Sequence, residues 1–162
     1  MISMSFETHH PWHLARPHTL VVACSDGRLQ QAVDEFLNDH LGISEYDRLY
    51  LPGGPGALAS SGLEFSRSER QRREFRFLLT AHEIEKVFLV FHGPLDAGPK
   101  DAICADYGRA LGDVGIQRVR AEQERDAKEI LERGFGFLKV DVRVYFCEVA
   151  EDFSVSFREF KP

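Results

Sequence analysis

No apolar run in this chain reaches the ~18 residues that a bilayer crossing requires. The first residues, MISMSFETHHPWHLARPH, lack a charged region followed by an apolar stretch, so no secretory signal is expected. Without export the three cysteines should stay reduced. Cys24, Cys104 and Cys147 lie far apart and form no CxxC pair, which argues against a disulfide framework. There is no internal repeat and no low-complexity segment. Positive charge is not in excess. A formal net charge of -6 is opposite to what neutralising nucleic-acid phosphates needs. These absences point to a cytoplasmic protein that binds neither a membrane nor nucleic acid.

What is present suits one folded unit. The 162 residues, 43% of them hydrophobic, can bury a sizeable core. Residues 1–18 carry His9, His10, His13 and His18 among Pro and Thr and read as a loosely packed arm. A surface metal clip is the alternative use of such a tract. Residues 19–162 read as one α/β domain. Leu20 to Ala23 is a short continuous apolar run, as expected of a strand buried on both faces of a parallel sheet. Leu29, Ala32, Val33, Phe36, Leu37 and Leu41 recur at helical spacing until Gly42. Asp47 to Leu51 reads as a second strand, residues 67–83 as a helix and Lys86 to Phe91 as a third strand. Pro99 is placed to open the next helix, and a further helix covers about 121–133. The period then changes. Val140, Val142, Val144 and Phe146 alternate with other residues, and after a turn at 150–152 so do Phe153, Val155 and Phe157, the pattern of a hairpin. The predicted architecture is a mostly parallel central sheet with an antiparallel C-terminal edge strand and helices on both faces.

In such sheets ligands bind outside the carboxyl ends of the strands. Three candidate segments fall there: CSDGR at 24–28, PGGPG at 52–56 and HGPLDAG at 92–98. Cys24 at a strand end can be no more than a small apolar residue. Arg28 near Asp26 would keep that carboxylate ionised and favour a thiolate at Cys24. A salt bridge tying the loop to the helix explains Asp26 and Arg28 equally well. His92 lies across the sheet crevice from Cys24 and is a candidate second metal ligand. Asp96, four residues on, is a candidate third.

Residues 20–28, LVVACSDGR, resemble the first metal-ligand motif of the β-class carbonic anhydrases, a strand ending in Cys-x-Asp-x-Arg. Residues 87–98, VFLVFHGPLDAG, resemble the second, a strand ending in Gly-His-x-x-Cys-Gly. LPGGPGAL at 51–58 stands where that family has an Arg-Asn-Ala-Gly loop. The resemblance covers about residues 18–160. It implies that Cys24 and His92 bind zinc. It also implies that Asp26 accepts a hydrogen bond from zinc-bound water while Arg28 holds it, and that in a closed form Asp26 becomes the fourth ligand. The second zinc cysteine falls on Leu95, which cannot bind metal. Phe91 replaces the Gly before the histidine, and Leu51-Pro52 replaces Arg-Asn. Cys104, expected about two turns into the next helix, and Cys147, in the late strand pair, are not placed to substitute, which leaves Asp96.

Two functions follow from the resemblance. One is a carbonic anhydrase-like protein with a degenerate zinc site that binds a small anion of the CO2/bicarbonate kind or has altered activity. The other is an active lyase interconverting CO2 and bicarbonate, with Asp96 in the lost cysteine's place. Gly53, Gly54 and Gly93 are expected to line the pocket with backbone N–H groups. The resemblance also implies a homodimer or higher homo-oligomer. A third reading starts from Arg67, Arg70, Arg72, Arg73 and Arg76, which could meet phosphate-bearing partners. Glu69 and Glu74 are interleaved with them, however, as on a solvated helix.

Overall fold

A computed structural model describes residues 5–59, 65–133 and 139–162. Five strands form one sheet: β1 (Thr19–Cys24), β2 (Asp47–Leu51), β3 (Lys86–Pro94), β4 (Asp141–Val149) and β5 (Val155–Phe160). The order is β2-β1-β3-β4-β5. The first three pairings are parallel, and β4 with β5 is antiparallel. The helices are α1 (Gln30–Glu35), α2 (Phe65–Ala81), α3 (Ala105–Leu111) and α4 (Ile116–Arg133). After α1 the chain runs straight into a π-helical turn, Phe36–His40. Among the described residues no helix is long and apolar enough to cross a membrane.

The expected α/β architecture is the one observed, and the strands show why. Central strands covered on both faces must be apolar at every position, and the period-two geometry then divides their side chains between two cores. Val87, Leu89 and Phe91 of β3 join Leu20 and Val22 of β1 on one face, against α2 and α4. Phe88 and Val90 join Val21 and Ala23 on the other, against Val33, Phe36 and Leu37. β1 connects to β2 on one side and the chain returns to β3 on the other. The crevice outside the carboxyl ends of β1 and β3 is therefore the topological switch point, the place where open α/β sheets bind ligands.

The structure corrects four local expectations. β3 does not stop before His92. It pairs with β4 as far as Pro94 opposite Val149, and His92 lies opposite Cys147. Pro99 does not open a helix but caps a short 3-10 turn, Lys100–Ala102. Cys104 is not two turns into α3. It is the residue just before the first turn, the N-cap of Ala105–Leu111. Phe153 lies in the turn with positive φ and is exposed, not in β5. The arm's histidines His9, His10 and His13 are exposed, and none belongs to a metal-holding group among the described residues.

Candidate metal centre

Cys24 is the last residue of β1, half-buried where the strand opens into the 25–29 loop. The next residue, Ser25, still donates its N–H to Leu51 O at 3.0 Å, so the strand end is pinned to β2. On the other side Gly54 lies against it with φ +55. A Cβ built there would sit 2.9 Å from Cys24 N and 3.3 Å from Val90 O. Only glycine tolerates both that conformation and that approach. The position holds β1 and β3 in place at the point where they carry Cys24 and His92.

His92 is 3% exposed, on β3. Its Nδ1 lies 3.1 Å from Ala102 O. A carbonyl only accepts, so Nδ1 carries the proton and Nε2 presents a lone pair. That Nε2 is buried and has no hydrogen-bond partner. The His92 carbonyl accepts from the Gln123 side chain at 2.8 Å, which ties β3 to α4. An orphaned buried acceptor is costly and needs an explanation. The residues around it supply one. Cys24 Sγ, His92 Nε2 and Cys104 Sγ all lie within 4.8 Å of one another, and this is the one such group among the described residues. The two sulfurs are 4.0 Å apart.

These atoms fit zinc. Tetrahedral zinc with Zn–S bonds of about 2.3 Å separates two thiolate sulfurs by roughly 3.8 Å, within a few tenths of an ångström of the observed spacing. One neutral imidazole and two sulfurs, with a fourth position left over, is a donor set typical of catalytic zinc. The electrostatics agree. The Cys24 thiol is drawn down to about 4, chiefly because the Cys104 thiol donates to it, with the Asp26 backbone N–H helping and burial opposing. Cys104 moves in the opposite direction, because it keeps the proton it shares with Cys24 and is buried.

Asp96 does not join this group. Its carboxylate is exposed and faces Arg120 at 3.3 Å. The reason is that β3 runs past His92. Each residue of strand advances about 3.3 Å, and Leu95 continues the β4 pairing by donating to Val149 O at 2.9 Å. The chain turns back only at 95–98, where Gly98 N bonds Leu95 O at 2.7 Å. The 3-10 turn then brings Ala102 O to His92, and Cys104 follows. Leu95 is thus part of a longer excursion that ends at Cys104, beside Cys24 and His92. Acidic Asp106 in the first turn of α3 was the available sign that the helix starts after Cys104.

Asp26 and Arg28 form the expected pair. Arg28 Nε donates to Asp26 Oδ1 at 2.9 Å and Nη2 to Oδ2 at 2.7 Å, a two-pronged contact. The guanidinium holds the Asp26 carboxyl down at about 2. Arg28 Nη2 also donates to Asp101 O at 3.0 Å. One 3-10 turn therefore holds the ring of His92 and the head of Arg28. Gly53 and Gly93 do not line the small cavity beside Cys24 and His92, and neither does Gly54. That cavity, about 10 Å³, is walled by Leu29, Gln30, Val33, Tyr50 and Val90. Gly53, at φ +84, gives way to Asp106. Gly93 faces Arg120 and Gln123.

Asp106 and its neighbour Tyr107 show how Cys104 is held. Arg67 Nη1 donates to both Asp106 oxygens, at 3.0 and 3.1 Å, and its other nitrogen donates to Pro52 O. Tyr107 donates to buried Asp126 at 2.6 Å. Gly56 makes room for that hydroxyl, since a Cβ there would lie 2.2 Å from it. The arginines of α2 divide accordingly. Arg67 and Arg72 turn inward, Arg72 to Leu58 O, Glu69 and Glu129, while Arg70, Arg73 and Arg76 are exposed.

No protein-family model matches this chain, and no curated protein matches it in sequence. Solved structures do resemble it. The β-carbonic anhydrase CafA of the fungal pathogen Aspergillus fumigatus is 14% identical, with 91% of this chain and 78% of that one covered at a TM-score of 0.55. The carbonic anhydrase of Streptococcus mutans is 14% identical, with 94% and 89% covered at a TM-score of 0.51. At such identities the likeness is one of fold. The chain has a β-carbonic-anhydrase-like fold.

Proposed function

We propose, from that fold and the Cys24–His92–Cys104 group at its switch point, that the chain is a zinc-dependent lyase interconverting CO2 and bicarbonate. The observation that carries the reading is the unpartnered Nε2 of His92 beside two free sulfurs. The small-anion alternative without zinc drew its force from the thiolate lost at Leu95; the Cys104 sulfur beside Cys24 and His92 supports the zinc reading instead. Zinc in such a site supplies a hydroxide nucleophile at neutral pH by acidifying water. The protein's own groups do the rest. Asp26, held ionised by Arg28, would serve as a hydrogen-bond acceptor that orients the nucleophile and would not itself store a proton. Ala102 O keeps the His92 proton on Nδ1, so Nε2 stays free as a ligand. Leu29, Val33 and Val90 line an apolar slot with room for about one water-sized group, which suits a small uncharged substrate.

The test is zinc per chain in protein purified without chelator, followed by CO2 hydration. Stoichiometric zinc that disappears in His92→Ala, together with hydration that follows the metal, is the expected result. Wild-type protein without zinc overturns the hydratase reading and returns the site to anion binding.

A further inference from the structure

Cys24 and Cys104 are both free thiols, and nothing lies between their sulfurs at 4.0 Å. A disulfide needs about 2.05 Å, so the sulfurs must approach by about 2 Å. The surroundings favour this movement. Cys24 is the last residue of its strand and the more exposed of the two, open to a small reagent. Cys104 precedes a helix of seven residues and follows a 3-10 turn of three, not a paired strand. The third thiol differs. Cys147 lines the same cavity, but it sits fully buried in β4, paired with β3 on one side and β5 on the other.

We propose that Cys24 and Cys104 are a modification site for hydroperoxides, forming a reversible disulfide whenever no metal holds them apart. The Cys24 sulfur attacks one peroxide oxygen. The O–O bond breaks, the sulfur is left as a sulfenic acid, and the departing oxygen takes up a proton and leaves as water from hydrogen peroxide or as the alcohol from an organic hydroperoxide. The Cys104 sulfur then attacks Cys24 Sγ, the S–O bond breaks, and the released hydroxide takes up the thiol proton as a second water. Two sulfurs give up one electron each and the peroxide takes both. A small dithiol reverses the step. The pair thus has two mutually exclusive occupants, a metal ion and a covalent bond. Disulfide formation stands whether or not CO2 is the substrate, while the exclusion rests on zinc binding.

The experiment treats chelator-stripped and zinc-loaded protein with hydrogen peroxide, then counts thiols after denaturation and maps the linked peptides. In the stripped protein free thiols should fall from three to one, with Cys24 linked to Cys104 and full recovery on adding dithiothreitol. Cys147→Ser should fall from two to none. Zinc-loaded protein should keep its thiols longer, and as it oxidises its zinc should appear in solution in step with the disulfide. A Cys24–Cys147 link, or sulfinic acid at Cys24 with Cys104 still free, would overturn the proposal. A disulfide in protein that never takes up zinc would sink the hydratase reading and leave this site standing. Zinc uptake with no disulfide in the stripped form would do the opposite.

Discussion

Two segments bring chemistry to this site, and they do so in opposite ways. Cys24, Asp26 and Arg28 lie within five consecutive residues, on a strand end and the loop it opens into. His92 and Cys104 stand at the two ends of a thirteen-residue excursion that overshoots along β3, turns at 95–98 and comes back through a 3-10 turn. In the first segment peptide geometry alone fixes which groups can meet. In the second the meeting depends on where a strand stops pairing and where a helix starts. Local motifs can be read from spacing; excursions have to be followed in space.

The comparison breaks most sharply at Cys104. If the excursion delivers a true ligand, Cys104→Ser should lose zinc as completely as Cys24→Ser, and metal analysis of the two variants should agree. Zinc retained in Cys104→Ser would mean that the compact motif and His92 suffice. Next in size is Arg28, which touches both segments. Arg28→Leu should lower activity by about 10–100-fold, the usual cost of losing an outer-shell partner, with metal still bound. It should also alter the acid side of the pH profile. The depressed carboxyl of Asp26 favours the folded protein at pH values above the ordinary carboxylate range, and this benefit disappears as pH falls through about 2. Without the guanidinium an acid limb should emerge near the ordinary carboxylate value, about 4.

A smaller effect is expected at the anchor behind Cys104. Burial pushes Asp126 up to about 6, against the Tyr107 hydrogen bond and Arg125, with Glu129 and Glu122 nearby. A raised carboxyl works in the reverse sense. Its contribution is full below the ordinary value and is lost as pH rises through about 6, a cost of up to about 3 kcal/mol at neutral pH. Asp126→Asn should flatten the stability profile between about pH 4 and 6 in urea unfolding, and an unchanged slope would refute the assignment. Smallest of all, Asp96→Asn should leave zinc content unchanged, and Leu95→Cys should not restore zinc to Cys104→Ser.

Much of the fold was legible because both cores demand apolar residues at every second position. β2 was read to the residue, and the hairpin from its alternation. The compact half of the site was legible for the same local reason. Cys104 was not, because Pro99 opens helices and short 3-10 turns alike. Without the true helix start, Cys104 was expected about two turns into the helix, away from the site. Gln123 and Tyr107 left no mark in spacing, since each acts across elements that only packing brings together. The glycines were misassigned for a related reason. Positive-φ loops at strand ends suggest an anion cradle, but Gly53 and Gly54 are small because neighbouring chain needs the space.

Gly54 therefore carries a burden out of proportion to its chemistry. It contributes no ligand, yet a single methyl there would push against the backbone of Cys24 and the carbonyl of Val90 at once. In a survey of every substitution, tolerance should fall as low at Gly54 as at Cys24 or His92. Reading such a survey by itself, one would count a catalytic residue too many.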